Sequence, residues 1–149
     1  MAHVRTQIRD RVAATLLGTA TAGSRVYTSR VDNMTEATIP GICVSTGAEV
    51  IDLEDSTLTA TAKVVDLVID AFALGENYDD VADQIQAEVE AKLYADNASG
   101  RFFGGLVLSL IYSVSDKKYN GDGAVKSGIV RSIWKAKYLT EDGHAETAL

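Results

Sequence analysis

Residues 57–74 carry the most restrictive pattern in the chain. Leu58, Ala60, Ala62 and Val64 recur with a period of two; Val65, Leu67, Ile69 and Ala71 continue that period in the opposite phase. A period of two marks a strand with one buried face, and a slip of one residue turns every side chain to the other face. One reading is a long central strand bent by an extra residue near Val64–Val65, the insertion that makes a β-bulge. The other is a strand that breaks there, or gives way to a short helix from Val65 to Phe72. The bulged strand is the expectation.

The remaining elements arrange themselves around it. Val4, Ile8, Val12 and Leu16 fall at intervals of four, with Arg5, Arg9, Asp10 and Arg11 mostly off that row, so an amphipathic helix is expected to run up to Gly18. Arg25–Val31 alternates as a strand, residues 32–38 read as a loop, and Pro40-Gly41 turns into a β-branched strand over Ile42–Thr46. Glu49–Ser56 reads as an acidic loop. A second helix is expected over Tyr78–Asp96, with Val81, Ile85, Val89 and Leu93 in one row, Asn77 as its N-cap, and acids in its first turns. A glycine-rich loop around Phe102 and Phe103 precedes a strand over Leu106–Ser115. Asn120-Gly121 is a hairpin signal, and Val125–Leu139 returns as the last strand. The tail from about residue 140 is polar and expected to fray.

These elements predict one α+β domain spanning residues 1–149. Its mixed, mainly antiparallel sheet has about five strands, with two amphipathic helices packed on one face. Two helices cover only one face of such a sheet, so the other must be partly polar or be covered by another molecule.

The chain of 149 residues has a single cysteine, which excludes an internal disulfide framework. It shows no secretory-signal pattern and no membrane-length apolar run, and it is expected to be made in the cytoplasm as a soluble chain. Its net charge of −7 argues against nonspecific attraction to nucleic acid. That charge is unevenly spread. Residues 1–31 hold five arginines against one aspartate; residues 32–100 hold fifteen acids against two lysines; residues 101–149 hold seven bases against five acids. Either these are solvated faces of different sign, or a basic surface meets an acidic one on a neighbouring copy.

Catalytic constellations are not expected. His3 and His144 lie near the two ends of the chain, without the orienting partner a general base needs. Cys43 sits between Ile42 and Val44 and reads as a buried structural thiol. Asp66 and Asp70 would stand roughly 13 Å apart along a strand, beyond the roughly 5–9.5 Å of paired glycosidase carboxylates. Asp52, Glu54 and Asp55 lack a calcium-loop pattern and read as solvated loop acids. Gly100–Gly105 places bulky aromatics where a phosphate cradle needs small residues. Phe102 and Phe103 either fold back onto the core or offer an apolar contact to a partner subunit. No enzyme, metal or cofactor is expected.

The order of short motifs supplies a resemblance. Ile8-Arg9-Asp10 in the first helix is followed by Gly23-Ser24-Arg25-Val26-Tyr27, then Ser29-Arg30-Val31 and an Ile39-Pro40-Gly41-Ile42 turn. Val44, Thr46 and Glu49 follow, then the acidic Tyr78-Asp79-Asp80-Val81 and a closing Lys137-Tyr138. Across most of its length the chain resembles the minor tail protein U family of long-tailed bacteriophages, the tail terminator proteins. The resemblance implies a non-enzymatic virion subunit that forms a homohexameric ring in the tail or neck. Such a ring caps the head-proximal end of the tail tube, stops its polymerisation and presents a surface to the head connector. Its implied partners are other copies of itself, the tail tube protein and a head-tail connector protein, with DNA passing through the lumen without specific binding and no membrane involved. Arg25, Tyr27 and Arg30 fall in the segment most like the family, and with Phe102 and Phe103 they are the candidate interface residues. The Phe102-Phe103 loop has no match in the family pattern. Other readings are a head-completion or neck connector ring protein, and a non-viral binding module.

Overall fold

A computed structural model describes residues 2–29, 40–120 and 126–149. Helix α1 (Val4–Leu16) leads to a short strand β1 (Val26–Thr28), then to β2 (Gly41–Asp52) and β3 (Ala60–Leu74). Helix α2 (Tyr78–Ala95) follows, then a two-residue hairpin of β4 (Asn97–Ala98) and β5 (Arg101–Phe102), and finally β6 (Ser109–Asn120) and β7 (Ser127–Glu141). The main sheet has the order β1-β2-β3-β7-β6, with β1 parallel to β2 and every other pair antiparallel. It is the expected mixed, mainly antiparallel five-stranded sheet of an α+β fold. Residues 30–39, which include Arg30 and the expected loop, lie outside the described residues, as does most of the turn signalled by Asn120-Gly121.

Helix α1 buries the row read from the sequence: Val4, Ile8, Val12 and Leu16 are all fully buried. It packs over β1 and β2, while α2 packs over β3 and β7, and the two helices touch each other. In β3 the face beneath them is Val65, Leu67, Ile69, Ala71 and Ala73, every one fully buried. Trp134 on β7 fills the centre of this layer. Its indole N–H donates to Ser132 Oγ at 3.0 Å, and that hydroxyl donates to the Ile69 carbonyl at 3.2 Å. A large apolar ring is thereby buried without an orphaned donor.

The long strand over residues 60–74 is present, but the extra residue is not in it. β3 pairs with β7 without interruption from Ala60↔Glu141 to Leu74↔Ser127. The irregularity lies in its other neighbour, β2, between Thr46 and Glu49. β6 carries a second one between Tyr112 and Val114. The phase change in β3 has another cause. Ala60 and Ala62 face away from the helices, and they are buried where the turn after Asp52 folds back; Ser56 Oγ accepts from the Ala62 N–H at 3.0 Å there. β2 also runs through residues 49–52, which the acidic composition had suggested were loop. Asn77 makes no side-chain cap; its carbonyl accepts from Val81 N–H instead. Val81 is only half-buried, and Ala82 takes its place in the buried row of α2.

The segment beyond residue 140, expected to fray, is bonded back onto the fold. Thr140 bridges Ala148, Leu149 N–H donates to the Leu139 carbonyl at 2.8 Å, and Val4 N–H donates to the Ala145 carbonyl at 2.9 Å. The first two lie on the side of β7 that β6, which starts at Ser109 opposite Lys137, leaves open.

His3 begins α1 as its N-cap, with Nδ1 accepting from Arg5 N–H at 3.1 Å. Burial, and then the nearby Arg5 and Lys63, hold its pKa below the ordinary 6.5. Only the neutral ring can accept at Nδ1, so the cap depends on deprotonation. A histidine with a depressed native pKa contributes stability above its unfolded pKa and loses it as the pH falls through the native value. Unfolding free energy measured against pH should therefore fall below 6.5. His3→Asn should keep the cap and remove this part of the slope, whereas His3→Ala should lose the cap at every pH.

Candidate assembly surface

The face of the sheet opposite the helices is covered by no element among the described residues. On its central strands, charged and apolar side chains alternate in rows. Asp70 on β3 accepts from Arg131 Nε and Nη2 on β7 at 2.8 and 3.0 Å, and Asp66 pairs with Lys135. Val68 and Ile133, paired in register, lie between the two ion pairs, and Val64, Phe72 and Ile129 extend the apolar part. Asp66 and Asp70 are thus two separate cross-strand ion pairs, each carboxylate facing its own cation, as their spacing along one strand required. At the β6 edge Ile111 is 60% exposed, and Val114 stands beside it on the same face.

The β2–β3 turn is more exposed still. Leu53 is 82% exposed and Leu58 fully exposed, with Val50 at 65% and Ile51 at 44%. Asp52 and Asp55 both pair with Lys137. They are not merely solvated loop acids; they anchor the turn over the open face.

The candidate interface residues are dispersed by the fold. Arg25 bridges two loops of its own subunit, its Nε donating to the Pro40 carbonyl at 2.6 Å and its Nη2 to the Thr21 carbonyl at 3.2 Å. Tyr27 is half-buried on β1, in register with Cys43 on β2. Arg30 lies outside the described residues. Phe103 is 1% exposed and sits in the core with φ of 55°, donating its N–H to the Asp96 carbonyl at 3.0 Å. A non-glycine residue there is strained, and burial of the ring offsets the strain. Phe102 is half-buried, with its ring against those of Tyr94 and Phe103. Of the two readings of this loop, packing within the subunit is the one the structure shows for Phe103. The residues that do present apolar surface, Leu53, Leu58, Val50, Ile111 and Val114, were not singled out by sequence. Leu58 reads in the sequence as the first member of the row Leu58, Ala60, Ala62 and Val64, but β3 begins at Ala60 and leaves it in the turn; Leu53, inside the acidic stretch, is the signal that was available.

The charge asymmetry also resolves inside the molecule. The basic first and last segments pair with the acidic middle of the same chain: Arg5 with Glu49, Arg11 with Asp96, Lys117 with Asp79 and Asp83, Arg131 with Asp70, Lys135 with Asp66. Hydrogen bonds from Arg11 hold the Asp96 carboxyl below its usual pKa, aided by Thr15. The two carboxylates flanking Lys117 push its ammonium pKa up. Tyr138 donates to Glu49, and burial followed by that bond raises its pKa. Cys43 is buried, as expected, and His144 stands in the tail beside Glu146. Among the described residues no cluster of three or more His, Cys, Asp or Glu is placed to hold a metal ion, and no helix is long and apolar enough to cross a membrane.

No protein-family model matches the chain, and no curated protein matches it. Among solved structures, the chain is similar to one in "Virion of native gene transfer agent (GTA) particle", at 19% sequence identity and a TM-score of 0.47. That match covers 91% of this chain and 92% of the other.

The placement of Phe103 makes a direct claim about stability. Phe103→Ala should lower the unfolding free energy of the isolated chain by about 3–5 kcal/mol, the usual range for emptying a buried phenylalanine site. Phe102→Ser should cost clearly less, and chemical denaturation of both variants measures the difference.

Proposed function

We propose that this chain is a phage virion structural protein, a tail terminator that assembles as a homohexameric ring at the head-proximal end of a tail tube. There it stops tube polymerisation and offers the surface that joins the tail to the head. The observation that carries the reading is the distribution of exposed apolar side chains. Leu53, Leu58, Val50, Ile111 and Val114 lie on the uncovered sheet face or at the tip beside it, and such surface in one region marks a site of association. The order of motifs shared with the minor tail protein U family supplies the kind of assembly. A ring of subunits uses unlike surfaces that meet head to tail, and this molecule has two unlike layers, helical on one side and open sheet on the other.

The electrostatics suit a passage for DNA. With most bases paired inside the subunit, the surplus of −7 is carried by acids, so a ring would let DNA slide past rather than grip it. Arg25 and Phe103 act within the subunit in this reading, and the contacts to tube and connector fall to the sheet face and its edge.

Electron microscopy of particles assembled without this protein tests the proposal. Tails of uncontrolled, excess length are the expected result. Tails of normal length that fail to join heads would favour a neck connector role instead, and normal particles would overturn both.

A further inference from the structure

We propose that the β2–β3 turn of one subunit docks into the groove between the loop that follows α1 and helix α2 of a second copy, so that each contact joins a projecting tip to a concave surface. This names the subunit contact within the ring reading above and rests on that reading for its setting.

The tip has the composition of an inserted element. Leu53 and Leu58 are almost wholly exposed on either side of a turn that Asp52 holds with its own carboxylate, accepting from the N–H groups of Glu54 and Asp55 at 3.1 and 3.3 Å. Ser56 Oγ donates to the Asp52 carbonyl at 2.7 Å, so the leucines project from a fixed turn. Little order remains to be imposed on binding, which lowers its entropic cost. Asp52 and Asp55 are committed to Lys137. Glu54 has no side-chain partner among the described residues, and it is the charge the tip offers.

The groove is its complement. Gly18, Thr19 and Ala20 form one wall, and Ala91 and Ala95 of α2 form the other. These side chains are small and leave room for a leucine between two backbones. The Thr19 hydroxyl is buried with no hydrogen-bond partner. Two charged residues border the groove. Glu88 is occupied, accepting from Thr21 Oγ1 at 3.0 Å and from Thr21 N–H at 3.3 Å. Lys92 has no partner among the described residues, so the groove presents an unpaired ammonium where the tip presents an unpaired carboxylate. An apolar knob and an apolar groove on different parts of one molecule, with opposite free charges, are the requirements of a heterologous contact.

Two measurements on the full chain test it. In the first, Leu53→Cys is combined with Ala95→Cys and the concentrated protein is oxidised under mild conditions. A ladder of covalent dimers, trimers and larger species is expected. A product that stops at dimer would show a reciprocal pair and overturn the ring-type contact, and the absence of any product would overturn the docking altogether. In the second, sedimentation velocity follows self-association of charge variants whose thermal unfolding is unchanged. Glu54→Lys and Lys92→Glu should each weaken association by about three- to tenfold, and the two together should recover it. A double variant as weak as the single ones overturns the proposal. A chain that forms the ladder yet leaves tail length uncontrolled would sink the terminator reading and leave the docking intact. Normal termination without tip-to-groove cross-links would do the reverse.

Discussion

The fold depends on burying one face of a long strand. β3 takes hydrogen bonds from a partner on each side, β2 and β7, so its backbone is satisfied whatever covers its faces. What the sequence must provide is cover for Val65, Leu67, Ile69, Ala71 and Ala73; α2 lies over β3 and β7, and α1 covers β1 and β2 beside them. Helix α1 turns four residues at intervals of four onto its part of the sheet and α2 a comparable row. The two helices meet side by side, leaving none for the other face. The second face is therefore stabilised differently, by cross-strand ion pairs interleaved with half-buried aliphatic side chains. Pairs as exposed as Lys135–Asp66 contribute little to stability individually. Their effect is to make an uncovered sheet face soluble while keeping apolar surface on it.

The uneven charge of the sequence has the same origin. Basic and acidic segments are distant in sequence but adjacent in the sheet, because β7 of the last segment lies beside β3 of the middle one. Arg131, Lys135 and Lys137 of β7 meet Asp70, Asp66 and the acids of the β2–β3 turn. α1 likewise brings Arg5 to Glu49 and Arg11 to Asp96. Segments of opposite charge are here matched between strands and helices that are neighbours within one chain. Glu54 and Lys92 are among the charges left without an ion pair among the described residues, and such charges carry the more useful information about partners.

Much of this was legible in the sequence, for identifiable reasons. Both helices announce themselves through apolar rows that a strand could not use, and β3 through a long alternation, although its change of phase left a broken strand or a short helix open. The sheet order was not legible, since nothing local tells β7 to insert beside β3. The end of β2 was hidden because Glu49 and Asp52 are typical of loops; in the fold, Glu49 is bonded to Tyr138 and Asp52 to Lys137, both on a strand two positions away. The bulge was assigned to the wrong strand because burial changes phase in β3, whereas the extra residue sits opposite it in β2. The candidate interface residues show what a sequence alone leaves open. Arg25 and Phe103 stand out in a sequence because they are unusual in loops, and they are unusual because each is needed inside the subunit. Leu58 is legible only as a member of the alternating row that leads into β3, and its full exposure follows from the turn it occupies.

One end of the molecule gathers features that the chain order separates. Val4 bonds to Ala145, Arg5 pairs with Glu49, and Asp142 bonds through its N–H to Thr59 and through its carboxylate to Thr61. The first turn of α1, the segment after β7 and the base of the β2–β3 turn therefore share one corner. A change at this corner, in the first turn of α1 or at Asp142, therefore acts on the base of the turn that carries the projecting leucines. A small fluorophore at position 142 would report on the occupancy of that turn from outside it, so a surface far from the leucines in sequence becomes a place from which to watch them.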